Sequence, residues 1–273
     1  MENTTTLLAV NQVGIQVSSF RPILTTECEV RIAFDKIKAM GCHTVQLQWI
    51  APSVPVSYIA EALHESGLNS VSVQEIYQTF LQNKEYYLDL CEKTGSQWLC
   101  ISRIPAERKT QSDFPRFITE LRELLIELKS RNLKLCFHPV STDYEIIPLS
   151  DGTTLSPIDA MMETIPEMEL CLDLYHCLKV GLDVPAMLKR YAGRVCMVHF
   201  KEAQQRSEML PDGSMITKEV LVPVGSGDTI WAPILQACKE TEVPYVFAEQ
   251  ESWEGDPFEA LEKGFHYLVD NLK

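Results

Sequence analysis

A single (β/α)8 (TIM) barrel occupying residues 1–273 is the architecture the sequence predicts, and three observations carry that reading. The chain has 273 residues, close to the roughly 250 that such barrels use. Short apolar runs rich in β-branched residues alternate eight times with longer stretches of helical period, as a series of strand–helix units requires. No linker or low-complexity stretch interrupts the series. A doubly wound open sheet is the competing topology, and periodicity alone does not separate the two. Apolar residues make up 45% of the chain and charged residues 23%, a soluble globular balance with material for one large core.

In chain order, strands are expected at Val13–Val17, Thr44–Gln48, Ser70–Val73 and Trp98–Ser102, then Leu133–His138, Glu169–Asp173, Val195–His199 and Tyr245–Glu249. The last four are nearly continuous apolar runs, the pattern of strands buried on both faces. Between them, Thr26 and Glu29 form a capping box that opens a helix burying Val30, Ala33, Phe34 and Ile37, with Gly41 as terminator. Phe114, Phe117, Leu121, Leu124, Leu125 and Leu128 mark the longest amphipathic stripe, to about Arg131. Ser156-Pro157, Asp183-Val184-Pro185 and Asp256-Pro257 each set a capping residue before a helix-starting proline. Gly67 and Gly95 close two more helices. Pro211-Asp212-Gly213, in the long gap between Phe200 and Trp231, predicts a small hairpin over one barrel mouth.

Charge and cysteine usage narrow the partners. Lys plus Arg number 24 against 38 Asp plus Glu, a net charge of −14. Nucleic acid and anionic membranes both need a basic surface, so neither is expected as a partner. The early apolar run Leu7–Val10 is too short for an export signal or a membrane span. Nine cysteines, an odd number without a CxxC pair, several inside strand runs, read as small buried hydrophobes of a reduced, cytoplasmic protein.

The polar residues at strand ends carry the functional reading. Each of the last four strands is apolar until its final residue: His138, Asp173, His199 and Glu249. Active sites of these barrels sit at the C-terminal ends of the strands, so the four converge on one mouth. Each shares a face with the residue two before it, Cys136, Cys171, Met197 and Phe247, all suited to a barrel interior. Carboxylates and imidazoles together suit one divalent ion, Mn, Co, Zn, Fe or Mg.

Leu172-Asp173-Leu174-Tyr175-His176, Val198-His199-Phe200-Lys201-Glu202, Pro223-Val224-Gly225-Ser226-Gly227 and Ala248-Glu249-Gln250-Glu251 resemble the xylose isomerase-like barrels, in particular the sugar phosphate isomerase/epimerase and inosose dehydratase group. The resemblance is strongest from Leu133 onward. It implies Asp173, His199 and Glu249 as ligands of one divalent metal. A Glu at the end of the fifth strand commonly supplies the fourth ligand, and this chain has His138 there. Either Glu145 folds back to complete the shell or His138 coordinates directly; Glu145 is preferred, as a third carboxylate.

The resemblance implies an isomerase or epimerase of a sugar or sugar derivative, acting by proton abstraction next to a carbonyl through an enediolate. Glu249 is the expected base, with His138 and His176 as further acid/base candidates and Lys201 to polarise the carbonyl. A dehydratase or lyase of a keto-sugar or cyclitol is the alternative, since the changed fifth strand weakens a two-glutamate epimerase. A non-catalytic sugar-binding barrel is the third reading. Gln48, Trp49, Arg103 and Trp253 lie near strand ends and are expected to line a sugar pocket. Glu251 and Glu254 are expected to be solvated. No basic cluster marks a phosphate site, which favours an unphosphorylated sugar. Self-association into a homo-oligomer is compatible with the family.

Overall fold

The computed structural model of the chain describes residues 12–212 and 214–272; the Leu7–Val10 run and Gly213 of the expected turn lie outside them. The first half comprises β1 (Val13–Gln16), α1 (Glu27–Ala39), β2 (Thr44–Leu47), α2 (Val56–Ser66), β3 (Asn69–Ile76), α3 (Tyr77–Gln82), α4 (Lys84–Thr94) and β4 (Trp98–Ser102). Next come α5 (Phe114–Ser130), β5 (Lys134–His138), the two-residue strands β6 (Ile147–Pro148) and β7 (Thr154–Leu155), and α6 (Pro157–Thr164). They are followed by β8 (Glu169–Asp173), α7 (Leu174–Lys179), α8 (Val184–Arg190) and β9 (Val195–Phe200). The chain ends with β10 (Glu202–Met209), β11 (Met215–Val222), α9 (Ala232–Glu240), β12 (Tyr245–Ala248) and α10 (Pro257–Leu272).

Eight parallel strands close into a barrel in the order β1-β12-β9-β8-β5-β4-β3-β2. All eight expected strands form, and the open-sheet alternative is excluded because β1 pairs with β12, Val13 opposite Val246. Strand β3 runs further than its apolar pattern. Gln74 and Glu75 continue it while buried, Glu75 accepting hydrogen bonds from the Tyr87 hydroxyl at 2.8 Å and the Ile76 amide at 2.8 Å.

Local signals act as the residues dictate. Thr26 Oγ1 accepts from the Glu29 amide and opens α1; Glu29 Oε2 returns the bond to the Thr25 amide, one residue upstream of a reciprocal box. Ser156 and Asp183 cap α6 and α8 ahead of their prolines. Gly67 and Gly95 end α2 and α4 at φ 64° and 70°, conformations that a side chain resists. The expected hairpin is β10–β11, paired antiparallel from Glu202 opposite Val222 to Met209 opposite Met215. No helix among the described residues is long and apolar enough to cross a membrane.

Two apolar layers result from period-two alternation. Outward side chains join the helices in the main core, with Phe34, Phe80, Phe117 and Phe265 fully buried. Inward side chains fill the barrel with Trp98, Cys100, Cys136, Cys171, Cys196, Met197 and Phe247. Eight of the nine cysteines are buried and all are free, as expected of small hydrophobes.

Gly14 of β1 sits opposite Phe247 at the barrel seam. A Cβ there would lie 2.6 Å from the Thr44 carbonyl oxygen and 2.7 Å from the Phe247 ring. Because the nearer atom is backbone, relief requires moving a strand. Gly14→Ala is therefore expected to lower stability by about 1–3 kcal/mol, read as a reduced midpoint in urea denaturation.

Candidate metal centre and active site

Asp173 ends β8 and performs two tasks at once. Its Oδ1 caps α7, accepting from the amides of Tyr175 (2.9 Å) and His176 (3.4 Å). That bond fixes the carboxylate, so Oδ2 faces the barrel mouth. The end of β5 brings His138 Nε2 to 3.8 Å from Oδ2, and α7 brings His176 Nε2 to 3.7 Å. One donor atom each from His138, Asp173 and His199 falls within 4.8 Å of the others. Glu249, just past β12, joins them through Oε2, 2.8 Å from His199 Nδ1. Lys201 Nζ lies 3.2 Å from Asp173 Oδ2 and 2.9 Å from both Glu249 Oε1 and Glu251 Oε2. His138, His176, Lys201, Glu249 and Glu251 line a cleft of about 230 Å³, with Asp173 and His199 fully buried behind them.

Three atoms of this cluster, Asp173 Oδ2, His199 Nδ1 and Glu249 Oε2, are buried and held only by charge contacts: Nδ1 and Oε2 face each other at 2.8 Å, and Oδ2 lies 3.2 Å from Lys201 Nζ. Two carboxylates and two imidazoles so gathered are a donor set suited to a divalent cation, so the residues fit the group that the strand-end pattern implies.

The charges are strongly coupled. Burial works against the Lys201 ammonium, yet the carboxylates of Asp173, Glu249 and Glu251 hold its pKa well above the ordinary lysine value. Burial also opposes the ionised forms of Glu249 and Asp173, but both are lowered, with Lys201 as the leading favourable charge. Burial, aided by His199, pushes His138 down to about 3, so its ring is neutral at pH 7. His199 goes the other way. Burial lowers its pKa, while Cys171 and Glu249 raise it to a net value well above the ordinary one. The Cys171 thiol is itself pushed up to about 12 by burial and is neutral, so the Glu249 carboxylate is the charge responsible. His176 is lowered, chiefly by burial.

Residues 34–270 match the family model described as xylose isomerase-like TIM barrel. The chain belongs to the xylose isomerase-like TIM barrel family. It is 24% identical to an inosose dehydratase from Geobacillus kaustophilus (strain HTA426) over 288 residues, covering 86% of this chain and 90% of that protein. A sugar phosphate isomerase/epimerase from Parabacteroides distasonis shares the fold with a TM-score of 0.75 at 12% identity, covering 100% of this chain and 98% of that one. The IOLI protein, crystallised with a zinc atom, shares it with a TM-score of 0.72 at 14% identity, covering 96% and 98%.

Within this xylose isomerase-like barrel, buried side chains that the motifs did not reveal hold the cluster in place. His199 Nε2 bonds Gln46 Oε1, which also accepts from Gln16 Nε2 at 2.8 Å; Gln46 Nε2 donates to Ser72 Oγ at 3.2 Å. This chain directs the Nε2 hydrogen of His199 inward and leaves Nδ1 facing the cluster. Ser102 Oγ, 3.3 Å from Nδ1, orients His138. Asp143 is buried between two rim loops, accepting from the Ile104 amide (3.1 Å), the Val140 amide (2.9 Å) and Lys109 Nζ (2.9 Å). Glu202 accepts from the Gly225 amide (2.6 Å), the Thr229 amide (3.0 Å) and Trp231 Nε1 (3.0 Å). The Gly225-Ser226-Gly227 turn thus wraps a carboxylate, and a Cβ on Gly227 would strike it at 2.7 Å.

The structure brings together most of the expected site and separates two residues from it. His138, Asp173, His199 and Glu249 converge; His176, Lys201, Gln48, Trp49 and Arg103 line the cleft. Lys201 is buried in the site rather than solvated at the rim. Glu145 does not fold back. A 3-10 turn over Ser141–Tyr144, locked by Asp143, carries it outward, where it is exposed, and His138 is the residue that lies beside Asp173 and His199. Trp253 is half-buried beyond the cleft wall, which Ser252 supplies. Glu251, expected in solvent, contacts Lys201, whereas Glu254 is exposed and pairs with Arg206.

Two outcomes are expected. Asp143→Ala strands two amides and leaves half-buried Lys109 with Thr142 alone, lowering stability by about 1–3 kcal/mol in chemical denaturation. In the metal-free protein, imidazole NMR titration should find His138 neutral down to about pH 3 while His199 titrates above the ordinary imidazole value; the reverse order contradicts the geometry.

Proposed function

We propose that the chain is a divalent-metal-dependent isomerase or epimerase of a sugar or sugar derivative, abstracting a proton next to a carbonyl through an enediolate. The observation that supports this is the buried convergence of Asp173 Oδ2, His199 Nδ1 and Glu249 Oε2 beside His138 at the C-terminal mouth of the barrel. His138, Asp173, His199 and Glu249 would hold the ion, and two imidazoles with two carboxylates favour Mn, Co, Zn or Fe(II) over Mg. When bound, the ion supplies Lewis-acid polarisation of the carbonyl and stabilises the charge that develops on it.

The chain's own residues do the rest. Glu249, kept ionised by Lys201, takes the proton from the carbon next to the carbonyl. Lys201 remains an ammonium fixed by Glu251, a preorganised positive charge beside the developing oxyanion. His176, neutral through burial and bonded at Nδ1 to Ser141 Oγ at 2.9 Å, is the second acid/base. His138 is held neutral, so it serves as a ligand rather than a proton donor. Gln48, Trp49 and Arg103 bind the sugar.

One observation favours a second reading, a dehydratase or lyase of a keto-sugar or cyclitol. The fifth strand ends in neutral His138, so Glu249 has His176 rather than a second glutamate as its partner. An imidazole there can pass a proton to a departing hydroxyl as readily as to carbon. The likeness to an inosose dehydratase points the same way.

Glu249→Gln is expected to lose tight metal retention in elemental analysis and to reduce turnover by about 10²–10⁴-fold, with an unchanged circular dichroism spectrum. Undiminished turnover in that variant refutes the assignment. Product mass separates the readings: an isomer supports epimerisation or isomerisation, and loss of water supports the dehydratase. A wild-type chain that retains no metal and exchanges no substrate proton leaves only a sugar-binding barrel.

A further inference from the structure

The cleft has two chemically different halves. Strands β5, β8, β9 and β12 supply the acidic, histidine-rich half. Strands β2, β3 and β4 supply Gln48, Gln74 and Arg103, three side chains with no role in the cluster. Gln74 is 4% exposed and its Oε1 has no hydrogen bond; it lines the cleft and calls for a donor there, such as a sugar hydroxyl.

Arg103 is the stronger signal. Among the described residues, every other arginine is engaged by a carboxylate, a carbonyl or an aromatic ring. Arg103 has none of these, in a chain of net charge −14. Its backbone is left-handed at φ 67° in the residue after β4, as is that of Trp49 at φ 58°, two residues past β2. The other two such residues, Asn132 and Glu242, follow helices α5 and α9, where this conformation is an ordinary helix ending. At strand ends it is a local strain associated with aiming functional side chains.

We propose that the β2–β4 half of the cleft binds a carboxylate on the substrate, making this barrel an enzyme of sugar acids rather than of neutral sugars. The inference rests on the sugar-rearrangement reading above and names its substrate class. The guanidinium fork of Arg103 matches a planar carboxylate with two parallel N–H bonds, an amide N–H of Gln48 completes its shell, and Gln74 Oε1 accepts from a hydroxyl of the same sugar. A phosphate dianion fits less well. One guanidinium neutralises one charge, and Glu219, Glu249 and Glu251 line the same cleft.

The test is calorimetric titration of the metal-free protein with matched probes: D-glucuronate against D-glucose, D-galacturonate against D-galactose, and D-glucose 6-phosphate. At least one uronate is expected to bind tenfold or more tightly than its neutral sugar. Arg103→Met should abolish that difference and Arg103→Lys retain part of it; Arg103 has no partner to lose, so both variants should fold. Equal binding within both pairs, binding by no probe, or a preference that survives Arg103→Met overturns the proposal. Tighter binding of the phosphate overturns the carboxylate assignment. Metal content and turnover are measured separately, so a chain that binds uronates without metal chemistry keeps this inference and loses the one beneath it.

Discussion

One buried ammonium governs the mouth of this barrel. Asp173 and Glu249 are carboxylates removed from water, and burial by itself would neutralise them. Lys201, equally buried, keeps both ionised, and they keep it charged in return. Neither side of the balance is tolerable alone, since breaking a buried pair leaves an uncompensated charge. The neighbouring histidines shift in opposite directions in that field, His138 downward and His199 upward. The cluster is therefore polarised before any ligand arrives, which is the property an electrostatic catalyst needs.

Around this centre, support comes in rings. Gln16, Gln46 and Ser72 lie on adjacent strands and form a neutral relay beneath His199. Beneath that relay the interior is thiols, a thioether and aromatic rings, a dry floor that leaves the upper charges unscreened. Above, Asp143 and Glu202 each gather backbone amides from a rim loop. Hairpin β10–β11 is tied to α7 by Glu219, which accepts from Lys179 at 3.0 Å and from Tyr175. The rim is thus fastened by carboxylates distinct from those at the centre.

The sequence made the strands legible because apolar runs of four to six residues have few other uses in an uninterrupted series of this kind. It made the centre legible because a polar residue closing an apolar strand contradicts its surroundings, four times over at His138, Asp173, His199 and Glu249. What escaped notice was polar residues lacking that contrast. Gln16 and Gln46 sit inside strands of mixed character, and Asp143 sits in a loop where an aspartate is ordinary. Only the barrel's curvature tells that the two glutamines touch across strands. Glu145 and Trp253 were misplaced for a related reason. Their distance from the strand ends was visible, but the direction in which a loop leaves the strand depends on bonds such as those of Asp143. Period and propensity do not encode those.

The pairing of β1 with β12 joins the beginning of the chain to its end, and this bears on the order of assembly. His138, Asp173 and His199 ride on β5, β8 and β9, neighbours in both sequence and space. Glu249 rides on β12, which lies between β9 and β1. Contacts that span nearly the whole chain carry the greatest loop-closure cost and slow folding. Because β12 pairs with β9, Phe247 opposite His199, all four side chains gather on the arc β5-β8-β9-β12 before the β1–β12 seam closes. The charged cluster thus belongs to the second half of the chain, and what closure by β1 adds is the support beneath it, Gln16 bonding Gln46 under His199.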